Sequence, residues 1–89
     1  MKITLDHAHT LGSIVRAARK AQGIRQDDAA GSTGVSENFL GKVERGSESV
    51  QWGKLFQVLR GLGIEVILDV PEEAANRLMP ARLGDSRLP

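Results

Sequence analysis

The stretch Gly34-Val35-Ser36-Glu37-Asn38-Phe39-Leu40-Gly41-Lys42-Val43-Glu44-Arg45-Gly46 decides the fold. Ser36 is a good helix N-cap, because its hydroxyl can accept from an N–H group that the first turn leaves free. Phe39, Leu40 and Val43 then fall on one side of a helix, and Gly46 ends it. The pattern predicts a helix over residues 36–45 with Glu37, Asn38 and Lys42 away from the apolar side.

Immediately upstream, Gln26-Asp27-Asp28-Ala29-Ala30-Gly31-Ser32-Thr33 opens with acids, which suit the positive end of a helix. It closes with Gly, Ser and Thr, which are poor helix formers, so this second helix is expected to depend on tertiary packing. Further back, Leu11, Ile14, Val15 and Ala18 keep helical spacing over residues 10–22, with Thr10 as the expected N-cap and Gly23 as the stop. Downstream, Trp52, Leu55, Phe56, Leu59 and Leu62 form an apolar stripe over residues 50–62, expected to lie in the core, and Gly63 ends it.

The period then changes. Ile64, Val66, Leu68 and Val70 alternate with Glu65, Ile67 and Asp69, the pattern of a half-buried strand. Ile3 and Leu5 are the one weak candidate mate within the chain. An unpaired strand leaves a row of open backbone groups, so a second copy of the same strand is the expected partner. Past Pro71, residues 72–79 suit a short helix capped by Asp69, and residues from Pro80 onward are expected to be mobile.

Composition narrows the chemistry. Eighty-nine residues suffice for one domain with a modest core. With no Cys, disulfides, thiolate catalysis and cysteine zinc sites are excluded, which fits a cytoplasmic protein. No apolar run approaches the roughly 18 residues of a membrane span, and the run from Met1 to Leu5 is unlike a signal peptide. Net charge is +1, but residues 1–62 hold nine Lys/Arg against six Asp/Glu. The positive excess therefore sits on the helical part, where a nucleic-acid surface would need it. His7 and His9 read as solvated side chains rather than a metal site. Asp27 and Asp28 adjoin in sequence and point apart, which is no general acid/base pair. The glycines make no phosphate-binding loop. Neither catalysis nor a cofactor is indicated.

Gly23-Ile24-Arg25-Gln26, followed by the stretch from Gly34 to Gly46, resembles the Xre/lambda-repressor-like helix-turn-helix family. The resemblance covers residues 11–64. The Gly-Ile-Glu-Val-Ile-Leu-Asp-Val-Pro run at 63–71 brings it nearer to antitoxins of the HipB type. It implies a mainly α fold, with a lambda-repressor-like domain over residues 1–63, a dimerising strand over 64–70 and a C-terminal tail over 71–89. In that fold the first short helix crosses the phosphate backbone and the second puts its first turn against base edges.

The same resemblance implies a DNA-binding set of Arg25, Gln26, Ser36, Glu37, Asn38 and Lys42. Gln26 matches the family's phosphate-contacting glutamine, at a helix start that suits an anion. Ser36 serves as cap, with or without a phosphate contact. Asn38 suits an adenine edge, and Lys42, one turn later, suits guanine or phosphate. Glu37 departs from the family's usual glutamine and either accepts from a cytosine amino group or points at solvent. Gly41 either permits close backbone approach or simply weakens the helix. Arg19 and Glu44 match a structural pair that bridges the first helix to the end of the recognition helix. Ala29, where relatives often have Leu, implies a thinner core unless Phe39 or Trp52 fills it.

The implied function is sequence-specific repression. A homodimer joined through Ile64, Val66, Leu68 and Val70 would hold two recognition helices roughly 34–36 Å apart on an inverted-repeat operator in double-stranded DNA. The resemblance further implies an autoregulating antitoxin partnered by a HipA-like serine/threonine kinase toxin. The rivals are a free-standing regulator without a toxin and a protein-interaction module that has lost DNA binding, the latter favoured by Glu37 and Gly41.

Overall fold

Each of the first four helices ends in the same local device. In the computed structural model, which describes residues 1–78, these helices are α1 (Ala8–Ala21), α2 (Gln26–Thr33), α3 (Glu37–Glu44) and α4 (Trp52–Gly61). After α2, Gly34 takes a φ of 81°, a left-handed conformation that costs a side-chain-bearing residue more than glycine. The reversal lets Val35 N–H donate back to the Ala30 carbonyl at 3.0 Å. The same closing bond follows α1 (Ile24 to Arg19, 3.2 Å), α3 (Ser47 to Lys42, 3.0 Å) and α4 (Ile64 to Leu59, 2.8 Å). The predicted stops at Gly23, Gly46 and Gly63 are therefore observed, each, like Gly34, at positive φ.

Helix starts vary more. Ser36 caps α3 by accepting from Phe39 N–H at 3.0 Å, and Gln51 caps α4 by accepting from Lys54 N–H at 2.7 Å. Helix α1 begins earlier than the sequence predicts. His7, not Thr10, precedes its first turn, and the His7 carbonyl accepts from Thr10 and Leu11 N–H. Thr10 lies within the helix, whose added turn packs on the loop after α3: a methyl on Gly46 would lie 2.8 Å from His9 Cα. A fifth helix, α5 (Glu72–Leu78), starts from the Pro71 carbonyl, which accepts from Ala75 N–H at 2.9 Å. Asp69 forms no capping bond to it among the described hydrogen bonds.

Val15 of α1, Ala29 and Ala30 of α2, Leu40 and Val43 of α3, and Leu55, Val58, Leu59 and Leu62 around α4 make one core. Trp52 is not part of it. The residue is 70% exposed, and its ring meets Phe56 from outside at a 51° tilt, with centroids 5.6 Å apart. Position 52 opens α4 at the rim, where the stripe has turned away from the core. The thin layer under α2 is closed by approach rather than by a large side chain. A methyl on Gly61 would lie 2.5 Å from Thr33 Cγ2, so α2 rests almost on the α4 backbone. Gln57 Nε2 donates to the Thr33 carbonyl at 3.1 Å across the same seam. Gly12 does the equivalent for α1: a methyl there would lie 2.8 Å from the Glu44 carbonyl oxygen. A helix-interior glycine costs about 1 kcal/mol of propensity, and here close packing of α1 on α3 is the return.

One ion pair fastens this arrangement. Arg19, 8% exposed, donates from Nε to Glu44 Oε2 at 2.6 Å and from Nη2 to Oε1 at 2.9 Å. Its Nη1 donates to the Ile24 carbonyl at 3.0 Å. The pair joins α1, the α1–α2 turn and the end of α3. Burial pushes the Glu44 carboxyl up, but the hydrogen bonds and charge of Arg19 outweigh it, aided by the Gln26 amide and the Arg16 charge. The carboxyl is held below its ordinary value, and the Arg19 guanidinium is held charged.

The sequence predicts a strand over 64–70, and none is present among the described residues. A ladder needs a second backbone within hydrogen-bonding distance, and neither residues 3–5 nor any other described segment supplies one. Between the Ile64 N–H and the Pro71 carbonyl no backbone hydrogen bond is formed among the described residues. Ile64 is half-buried against the core, whereas Val66, Ile67 and Leu68 stand exposed, Leu68 at 79%. Of the C-terminal tail, residues 79–89 lie outside the described residues.

Two outcomes follow for stability. Leu40, fully buried, should lose about 2–5 kcal/mol on truncation to Ala, while Trp52→Ala should change stability by less than about 0.5 kcal/mol; urea unfolding checks both. Because the Glu44 carboxyl is lowered in the folded state, its contribution is complete above the unfolded value of 4.5 and is lost as pH falls through the lower folded value. Acid titration of Tm should therefore steepen below about pH 4.5 in the parent and flatten in Glu44→Gln, itself destabilised by about 3–5 kcal/mol because Arg19 is left buried and unpaired.

Candidate nucleic-acid interface

Helices α2 and α3 are joined by the Gly34–Ser36 turn, and their outer sides share one surface with the second half of α1. Leu40 and Val43 anchor α3 from behind, which leaves Glu37, Asn38 and Lys42 exposed on its far side. Asn38 and Lys42 are one turn apart on the same face, as their spacing predicts. The Ser36 hydroxyl is occupied as an acceptor by the helix cap, and the residue is exposed. Glu37 pairs with no cation among the described residues.

Two expected contacts are already engaged within the chain. The Gln26 amide, half-buried, donates to Glu44 Oε1 at 3.2 Å, which makes it the third member of the Arg19–Glu44 network. One amide proton and the carbonyl oxygen of Gln26 stay available. Arg25 lies 3.4 Å from both the Asp27 and the Asp28 carboxylates, fully on the surface. The two acids thus converge on one guanidinium rather than pointing apart. Ile64, Val66, Leu68 and Val70 belong to the irregular segment beyond α4 and take no part in this surface.

Gly41 is where the sequence reading falls short. It is buried, not bare: a methyl there would lie 3.0 Å from Arg45 Nη1 and 3.8 Å from Gln26 Nε2. Together with Arg16, Arg19 and Glu44, these residues line a cleft of about 280 Å³ between α1, α2 and α3. Arg16 and Arg45 are the functional candidates that sequence reasoning missed. The signal was present in the spacing, since Arg45 follows Asn38 by seven positions, two turns along the same face. Arg16 precedes Arg19 by three, on the side of α1 that faces α3. Among the described residues no group of three or more metal-ligating side chains occurs, and no helix is long and apolar enough to cross a membrane.

Residues 10–69 match the family model described as a helix-turn-helix domain. The uncharacterized HTH-type transcriptional regulator y4mF of Sinorhizobium fredii is 41% identical over 63 residues, 71% of this chain and 83% of that protein. Among solved structures, the restriction-modification controller protein C.AhdI from Aeromonas hydrophila is similar, with 29% identity and a TM-score of 0.58 over 65% of this chain and 84% of that one. A chain of the HipA–HipB–O2–O3 complex shares the fold at a TM-score of 0.71, with 16% identity over 78% of this chain and 97% of that one. Such regulators are not enzymes. The chain belongs to the helix-turn-helix family of Xre-like transcriptional regulators.

Proposed function

We propose that this protein is a dimeric, sequence-specific DNA-binding repressor that lays α3 in the major groove. The observation that carries the reading is the exposed pair Asn38 and Lys42, one turn apart on a helix held from behind by Leu40, Val43 and the Arg19–Glu44 pair. Asn38 offers a donor and an acceptor side by side, the complement of an adenine edge, and Lys42 suits guanine or phosphate. Glu37 has only acceptors, which suits a cytosine amino group. Ser36, Arg25 and the free amide proton of Gln26 supply phosphate contacts around the turn.

Dimerisation runs through residues 64–70. Val66, Leu68 and Val70 are exposed apolar side chains in the single chain, and among the described residues the backbone between them has no hydrogen-bond partner, which leaves it open to a second strand. Pairing two copies covers both. At roughly 25 cal/mol per Å² of apolar area covered, the gain is comparable to the marginal stability of a domain this small. The dimer would place two α3 helices on the halves of an inverted repeat.

The protein partner we propose is a HipA-like serine/threonine kinase toxin, with this chain as the autoregulating antitoxin. The fold shared with a chain of the HipA–HipB–O2–O3 complex supports it. The second reading is a free-standing regulator, favoured by the higher identity to the controller protein C.AhdI. Co-expression with a HipA-like kinase discriminates them: a stable co-purifying complex supports the antitoxin, and separate elution leaves the free-standing regulator.

Asn38→Ala should lose about 1–3 kcal/mol of discrimination between selected and scrambled duplexes with Tm unchanged, and Lys42→Ala should weaken both, as measured by fluorescence anisotropy. Unchanged affinity in both variants would falsify the reading face. Val66→Lys and Leu68→Asp should sediment as monomers and bind an inverted repeat far more weakly, because one half-site loses the effective concentration supplied by the other. Dimers in both variants would move the seam to the helices.

A further inference from the structure

The cleft over Gly41 carries more positive charge than the fold needs. Its lining holds three guanidiniums, of Arg16, Arg19 and Arg45, against the single carboxylate of Glu44. Arg19 and Glu44 neutralise one another through two hydrogen bonds. Arg16 and Arg45 then remain as two exposed cations that pair with no carboxylate among the described residues. The nearest acids of α2, Asp27 and Asp28, are drawn to Arg25 instead.

The floor of the cleft is backbone. With no side chain at Gly41, the Arg45 guanidinium folds back across α3 toward the Gln26 amide. Gln26 is also the first residue of α2, a helix start with no side-chain cap, so the positive end of that helix adds to the field. Two guanidiniums and an amide donor around one polar space are the complement of a phosphate group, which accepts several charge-assisted hydrogen bonds at once. Arg45 lies on the same face of α3 as Asn38 and Lys42. The cleft opens beside that face, between α1 and the start of α2.

We propose that the cleft seats a DNA backbone phosphate between Arg16 and Arg45, and that the missing side chain at Gly41 makes the room in which the Arg45 guanidinium lies. This rests on the DNA-binding reading above. It gives Gly41 a function that neither helix propensity nor core packing explains. Alanine at this position favours the helix and meets only the movable end of Arg45, so the fold tolerates it. The same methyl fills the floor and displaces the guanidinium.

The test titrates binding across salt concentration, using a duplex of about 30 base pairs selected from a random pool. The variants are Arg45→Ala, Arg45→Lys, Arg16→Ala and Gly41→Ala, with Arg60→Ala on the exposed last turn of α4 as a charge control outside the cleft. Arg45→Ala and Arg16→Ala should each bind roughly tenfold more weakly, with a salt slope lower by about one. Arg45→Lys should recover most of the slope, and Arg60→Ala should keep the parent's. Gly41→Ala should melt no lower than the parent yet bind several-fold more weakly. Parent-like affinity and slope in Arg45→Ala and Gly41→Ala, beside a loss in Lys42→Ala, would overturn the seat and leave DNA binding standing. Absence of binding by the parent itself would overturn both.

Discussion

Everything on the candidate interface hangs on the contact between Arg19 and Glu44. Helix α3 has eight residues, too few to persist alone, because the first turn of any helix fixes several dihedrals for one hydrogen bond. Its orientation must come from neighbours. Apolar contacts through Leu40 and Val43 hold it down but tolerate rotation and slippage. The bidentate bond from Arg19 removes that freedom, since both guanidinium nitrogens and both carboxylate oxygens must meet in one plane. Burying an ion pair is a poor route to stability, because each charge gives up its hydration. What the pair supplies is direction, and a helix that presents Asn38 and Lys42 has use for direction.

The network reaches further than two residues. The Ile24 carbonyl takes a third Arg19 bond, which fixes the turn between α1 and α2, and the Gln26 amide returns to Glu44 from the start of α2. Three helices thus meet at one carboxylate. This explains why α2 can be built from weak helix formers. Thr33 and Ser32 satisfy their hydroxyls on the Ala29 carbonyl, Thr33 lies directly on α4 at Gly61, and Ala29 and Ala30 are buried in the core. Small residues allow the backbone to come close, and closeness replaces the bulk that a leucine at position 29 would have provided.

The surface divides by chemistry. Around α3 and the cleft, exposed groups are mostly amide, ammonium and guanidinium; Glu37 is an exposed carboxylate, Glu44 is paired with Arg19, and Asp27 and Asp28 are drawn to Arg25. Beyond α4 the character reverses, and Val66, Ile67 and Leu68 meet water beside an unpaired backbone. A single copy of a small domain gains nothing from such a segment. In the proposed dimer the two segments would cover one another, and the polar interface would be presented twice.

Much of this was legible along the chain. The helix ends could be read because a glycine after a helix answers a local demand for positive φ, and the Ser36 cap answers an equally local one for an acceptor. The Arg19–Glu44 pair was legible only through resemblance, because residues 25 positions apart have no spacing rule that joins them. Tertiary structure alone decided the rest. It turned Trp52 out of the stripe it belongs to by period, and it gave the Gln26 amide to Glu44. It also roofed Gly41 with Arg45 and left residues 64–70 without a ladder inside one chain. Each of these depends on which atoms a neighbouring element brings within a few ångströms, and local periodicity carries no record of that distance.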